Sequence, residues 1–287
     1  MSVCGKCARR AEVLVGLAGE IEGLGLDRWR LIGLLGKGEA ELVGMAGGRL
    51  PVIPQDGGHG LCVHDDRFPG RIGEVLAAPR ALYVVGGVGR FVDLLRGPVV
   101  AVVGSRRSTY YGREFAFGLA RDLARAGVTV LSGLADGIEG AVVHGVLAGG
   151  GRPVVAMAGG AGVALPVQQD RLHARLVREG VAVSELPVGF AAPRAWCFLT
   201  RGRVIAGLAD AVVVVEAGIR SGTMLTADLA LRMGRGVGVV PGRASDECAG
   251  GSNELLRDGA TVVLGVEDVL GLVDGRQAGG FKPTRPR

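Results

Sequence analysis

The chain has 287 residues, 48% of them hydrophobic and 21% charged. That is enough apolar material for a sizeable core and excludes global disorder. Its formal net charge of +5 leans mildly towards polyanionic partners. Aromatics make up only 4%, so the core has to be built from Val, Leu, Ala and Ile. The cationic side chains are nearly all Arg, with Lys only at Lys6, Lys37 and Lys282. Arg offers planar bidentate contacts to phosphate and stacks on bases. Five cysteines without an apolar amino-terminal signal segment predict free thiols in a reducing cytoplasm. No apolar run reaches membrane-spanning length, so no membrane partner is expected.

Residues 1–50 read as helical, because AEVLVGLAGEIEGL and DRWRLIGLLGKGEAELVGMA repeat Leu, Val and Ile at three- and four-residue intervals. Asp27 is placed to cap the second run. GGRLPVIPQDGGHG, with Pro51 and Pro54, breaks the pattern and sets a domain boundary. The expected division is a helical region over 1–55, an α/β domain over 61–265, and a short helix with a basic tail over 266–287. From about Leu61 short apolar strands begin to alternate with helices. The main strands fall near 99–104, 128–132, 153–158, 181–184, 211–216, 236–240 and 261–264. Between them, Phe115, Leu119 and Leu123 share one helix face, as do Leu225, Leu229 and Met233. Strands apolar on both faces and separated by helices imply a mostly parallel, doubly wound Rossmann-like α/β sheet.

In such a sheet, ligands bind beyond the carboxyl ends of the strands. GSRRSTYYG (104–112) offers Ser105, Arg106 and Arg107 ahead of a helix amino end, which favours anions. SGLADGIEG presents Ser132 and Gly133 at a strand exit. AGGAGVALP is rich in small residues and nearly featureless. EAGIRSGTMLTADLA brings Arg220, Ser221, Gly222 and Thr223 to the start of a strong helix. AWCFLTRGRVIAGL interleaves Trp196 and Phe198 with Arg201 and Arg203, a pattern suited to stacking and phosphate contact with single strands. Each segment also reads as an ordinary turn, or in the last case as a flap packed on the domain.

Neither a Rossmann G-x-G-x-x-G after a strand nor a Walker A sequence is present, so no cofactor is expected. The histidines His59, His64, His144 and His173 are scattered. Cys4 and Cys7 form C-G-K-C, but no second pair at zinc spacing follows, so no metal site is expected. Glu185 and Glu216 end strands without a partner base, so no catalytic residue is assigned.

Taken in order, VGSRRSTYYG, SGLADGI, SELPVG, FLTRGRVIAGL, VVVEAGIRSGTMLTA and GRGVGVVPG resemble the DprA/Smf family over about Leu61 to Ala260. The amino-terminal CxxC-x-RR is similar to actinobacterial-type members. The resemblance implies a non-catalytic, Rossmann-like protein that binds single-stranded DNA, protects incoming DNA in natural transformation and loads the recombinase RecA, generally as a homodimer. It carries Ser105, Arg106, Ser132, Gly133, Arg201, Arg203 and Ser221 to Thr223 as matched positions. Departures mark a diverged member. Leu199 and Gly202 replace a family proline and asparagine. Val143 stands where a histidine is usual, with His144 one position later, and Asp136 adds a negative charge beside the expected pocket. One alternative is a LOG-like nucleotide phosphoribohydrolase of a related fold, but Thr226 stands where its glutamate would be. The other is a protein-binding scaffold.

Overall fold

The computed structural model describes residues 2–17, 21, 26–38, 40–42, 59–164, 166–191 and 194–275. The Pro/Gly-rich stretch up to 58, the end of the second amino-terminal run and the basic tail lie outside them. In chain order the first elements are α1 (Gly5–Gly16), α2 (Arg28–Leu35), β1 (Gly60–Cys62), β2 (Ala81–Val85), α3 (Val88–Leu94) and β3 (Val99–Val103). Then come α4 (Tyr110–Arg125), β4 (Thr129–Ser132), α5 (Ile138–Ala148), β5 (Val154–Ala156), α6 (Asp170–Glu179), β6 (Val181–Ser184) and α7 (Ala195–Leu208). The last are β7 (Ala211–Val214), α8 (Gly222–Arg232), β8 (Gly236–Val239), α9 (Gly250–Arg257), β9 (Thr261–Val262) and α10 (Val266–Val273). Among the described residues, no helix is long and apolar enough to cross a membrane.

Local chemistry explains where several elements begin. Asp27 caps α2 by accepting from the Trp29 and Arg30 backbone N–H groups at 2.9 and 3.0 Å. Thr109 caps α4 through the Gly112 N–H at 3.0 Å. Gly112, Ala116, Leu119, Ala120 and Leu123 then form the buried stripe of that helix. All five residues of β3 are buried, as expected for a central strand covered on both faces.

Contacts gather the chain into two compact units, residues 1–93 with 156–207, and 94–155 with 208–287. In the second unit the strand order is β5-β4-β3-β7-β8-β9, and every pairing is parallel. From β3 the chain winds outward through α4 and α5 to β4 and β5. From β7 it winds the other way, through α8 and α9, to β8 and β9. The winding reverses between β3 and β7. Val100, Val102, Val130, Ala211 and Val213 pack there against α4, α5 and α10 in one core. This is the doubly wound, Rossmann-like arrangement, and its strands fall where the apolar runs place them.

In the first unit β1, β2 and β6 pair antiparallel, with Leu61 opposite Leu82 and Val84 opposite Val183. The amino-terminal helices share its core: Val13, Leu14, Leu34 and Leu35 pack with Leu186, Trp196 and Cys197. Beside that core lies a buried ionic trio. Arg203 is 0% exposed and donates to the Glu185 carboxylate and the Ala77 carbonyl. Arg10 approaches the same carboxylate at 3.6 Å and also donates to the Lys37 carbonyl at 3.1 Å. The sequence reading set Arg203 on a basic surface. The structure corrects this: the guanidinium is needed inside, where Glu185 would otherwise be a buried charge with one partner fewer.

Removing one member of a buried ion group leaves an uncompensated charge. Arg203→Ala is expected to cost about 3–5 kcal/mol, read as a lower urea midpoint at unchanged slope. Arg30→Ala, which removes an exposed pair with Asp27, should stay within about 1 kcal/mol of the parent.

Candidate nucleic-acid interface

The reversal of winding between β3 and β7 opens a crevice beyond their carboxyl ends. Three loops of the second unit meet at it. The Ser105 N–H, just after β3, donates to the Glu216 carbonyl at 2.7 Å, and the Ser105 carbonyl accepts from the Ile138 N–H at 3.2 Å. The loops after β3, β4 and β7 are therefore tied backbone to backbone. The Glu216 side chain, 2% exposed, adds a second tie. It accepts from the Thr109 N–H at 2.9 Å and from the Thr109 hydroxyl. Two glycines let these segments approach. A Cβ on Gly112 would lie 2.4 Å from the Glu216 carboxyl carbon. Gly137 has φ +82°, and a Cβ there would sit 2.4 Å from the Arg106 carbonyl oxygen.

This scaffold leaves polar and aromatic groups facing solvent. Arg106 and Arg107 are exposed on the loop after β3, and Arg220 on the loop after β7. Ser221 caps the amino end of α8, yet its hydroxyl oxygen is buried without a hydrogen-bond partner. An unsatisfied hydroxyl at a helix amino end suits an anion, which the helix dipole also favours. Tyr110 is 73% exposed and Tyr111 48%. The Tyr111 hydroxyl donates to the Pro241 carbonyl at 3.3 Å, and its ring centroid lies 6.1 Å from that of Phe115. Burial first, and then the charge of Glu216, hold its phenol above the ordinary value, so it stays a neutral donor. A cleft of about 540 Å³ lies alongside, lined by Thr109, Tyr110, Tyr111, Glu216, Arg243 and Asp246 among others.

The expected site residues divide by exposure. Arg106, Arg107, Arg220 and Gly222 are exposed, and Ser105, Ser221 and Thr223 are half-buried. Ser132 is buried and spends its hydroxyl on the Val102 carbonyl at 2.7 Å, and Gly133 is buried beside it. In the first unit Phe198 and Arg201 are half-buried, with the Arg201 guanidinium 5.5 Å from the Phe198 ring centroid. Trp196 and Arg203 are interior. The stacking surface expected of AWCFLTRGR thus reduces to Phe198 and Arg201. Sequence reasoning missed Tyr110 and Tyr111, although SRRSTYY sets two aromatics just after two arginines. Among the departures, Val143 and Gly202 are buried helix positions, whereas Asp136 is exposed in the loop before α5. Glu139, on the first turn of α5, is turned inward and accepts from the Ala135 N–H at 2.9 Å.

Fold and crevice together define a doubly wound α/β protein whose switch point is basic, hydroxyl-bearing and edged with aromatics. The chain belongs to the DNA recombination-mediator protein A family, also called DprA or Smf, whose sequence profile matches residues 59–274. Mycobacterium tuberculosis DprA is 39% identical over 196 residues, covering 68% of this chain and 50% of that protein. The chain thus spans about half the length of that relative. The X-ray structure of Streptococcus pneumoniae DprA superimposes with a TM-score of 0.73 at 26% identity, covering 94% of this chain and 98% of that one. Helicobacter pylori DprA, solved in a study of its single-stranded DNA binding mode, gives 0.66 at 26% identity, covering 76% and 96%.

If the Glu216 carboxylate holds the loop after β3, Glu216→Ala strands the half-buried Thr109 N–H. The expected cost is about 1–3 kcal/mol. Amide exchange should accelerate across residues 105–112 and stay unchanged at Thr261 and Val262. Uniform acceleration, or none, would count against this anchoring role.

Proposed function

We propose that this chain binds single-stranded DNA in the crevice beyond β3 and β7, without catalysing a reaction on it. The observation that carries the reading is the exposure of Tyr110 and Tyr111, on the first turn of α4, just beyond Arg106 and Arg107 on the anchored loop that leads into it. The arginines supply charge for phosphates, and the rings supply faces for unpaired bases. In a duplex the base faces are already stacked on one another, so the tyrosines discriminate in favour of single strands. Neither contact reads base edges, so sequence preference is slight. Ser221 and Arg220 at the amino end of α8 serve a further phosphate. Ser105, Ser132, Gly133, Gly222 and Thr223 shape the backbone around that path, while Phe198 and Arg201 offer a second cation-and-ring pair. Arg203 is left out of the contact set because it is buried with Glu185.

Membership of the family and the single-stranded DNA binding studied in its Helicobacter pylori member support the same reading. We extend it to the biological role: a cytoplasmic homodimer that protects incoming DNA during transformation and recombination and loads RecA onto it.

The test is fluorescence anisotropy of a labelled poly-dT oligonucleotide across a salt series, with duplex as competitor. Affinity should fall with salt, with a log–log slope of about −0.7 per phosphate neutralised. Arg106→Ala with Arg107→Ala should flatten that slope by about 1.4 if each arginine meets one phosphate. Tyr110→Ala should weaken binding by about 1–3 kcal/mol at any salt if it stacks one base. Unchanged affinity and slope in these variants would remove the crevice from the DNA path. Release of free base from AMP by the purified protein would favour the nucleotide-hydrolysing alternative instead.

A further inference from the structure

Four side chains far from this crevice in sequence converge in the first unit: Cys4, Cys7, Cys62 and His64. Their ligand atoms all lie within 4.8 Å of one another. His64 Nδ1 is 3.4 Å from the Cys4 sulfur, 3.7 Å from that of Cys7 and 3.8 Å from that of Cys62. A ring nitrogen carries either one proton or one lone pair, so hydrogen bonding accounts for one such contact, not three. A tetrahedral cation accounts for all of them. With Zn–S at about 2.3 Å and Zn–N at about 2.0–2.1 Å, tetrahedral angles put each sulfur about 3.6 Å from the nitrogen.

We propose that Cys4, Cys7, Cys62 and His64 bind one zinc ion as a closed, structural Cys3His site. This does not depend on the DNA-binding reading. The local structure builds the donor set from two short motifs. Cys4 is the N-cap of α1 and Cys7 lies in its first turn, so the three-residue spacing sets both sulfurs at the helix amino end. The Cys7 and Ala8 backbone N–H groups both donate to the Cys4 carbonyl at 3.0 Å, which fixes Cys4 against the first turn of α1. Cys62 is the last residue of β1, and His64 follows in a turn closed by the Asp65 N–H to the Cys62 carbonyl at 2.8 Å. Cys7 and Cys62 sit in an apolar cluster with Val3, Ala11, Ala81 and Tyr83, while His64 is exposed at its rim.

Four protein donors leave no open coordination position, so the ion's role is to hold the fold. On binding, the three thiols release three protons and the imidazole gives its Nδ1 lone pair, leaving a site of net charge −1. The ion staples the start of α1 to β1. That strand has three residues and, among the described residues, pairs with β2 alone. A cross-link between positions so distant in sequence restricts the unfolded chain and adds to stability.

The experiment is metal analysis of the full chain purified without chelators from zinc-supplemented medium. The expected content is about one zinc per chain, falling below about a tenth in Cys7→Ser with Cys62→Ser. Cys248→Ser should keep the full content. Should the double variant not fold, the wild-type protein decides: alkylation mapped by mass spectrometry should spare Cys4, Cys7 and Cys62 in the zinc form and label them after chelation. The labelling of Cys248 should stay the same in both states. Cobalt reconstitution should give the visible absorption of a tetrahedral thiolate site. Zinc below about a tenth per chain in the wild type, a Cys4–Cys7 disulfide in its place, or equal labelling with and without chelator would overturn the proposal.

Discussion

The crevice depends on one buried carboxylate. Glu216 ends the run of apolar residues that makes β7, and its oxygens turn back onto the Thr109 N–H and hydroxyl. Thr109 is in turn the residue that starts α4. A single acid thereby fixes the loop after β3, the amino end of the helix that follows, and the direction in which Arg106 to Tyr111 face. A carboxylate can do this because it accepts from several donors at once. Gly112 makes room for it, since any Cβ there would overlap the carboxyl group. The first unit repeats the device in ionic form. Glu185 follows β6 and is held by Arg203 and Arg10, so the acids after two strand ends act as interior anchors rather than as chemistry.

Much of this was legible in the sequence because it follows from periodicity. Runs such as VVAVV and AVVVV are apolar on both faces, as a strand covered on both sides requires. Glycines and hydroxyls after those runs marked the loops at the switch point. What sequence did not reveal was the direction of individual side chains within a helix. Arg201 and Arg203 stand two apart in α7, about 200° around the helix. One is half-buried beside Phe198 and the other is wholly inside. Arginine is a surface residue by habit, and only the position of Glu185 reveals why Arg203 is not. The Cys62 and His64 pair was hidden for a similar reason: a C-x-H at the end of a strand gains meaning only when the topology brings C-x-x-C beside it.

The departures from the family pattern take on a different weight once placed. Val143 and Gly202 are buried in α5 and α7, so their effect falls on helix packing rather than on the charge of the crevice. Asp136 is exposed and does alter that charge. It stands among the exposed Arg106, Arg107 and Arg220 on the neighbouring loops and adds to the carboxylates of Glu139 and Glu216 that the crevice already holds.

The two compact units are each assembled from separated stretches of chain, 1–93 with 156–207 and 94–155 with 208–287. A ribosome releases these stretches in alternation. The first unit lacks α7 and the complete Arg10–Glu185–Arg203 trio until residues near 203 have emerged, by which time all of β3 to β5 is already out. The first unit is complete once residue 207 has emerged, whereas the second waits for the stretch from 208 onward, and no single cleavage point separates the two. Such sequence-distant closure slows folding, and the amino-terminal helices find their packing partners Leu186, Trp196 and Cys197 only late in the chain.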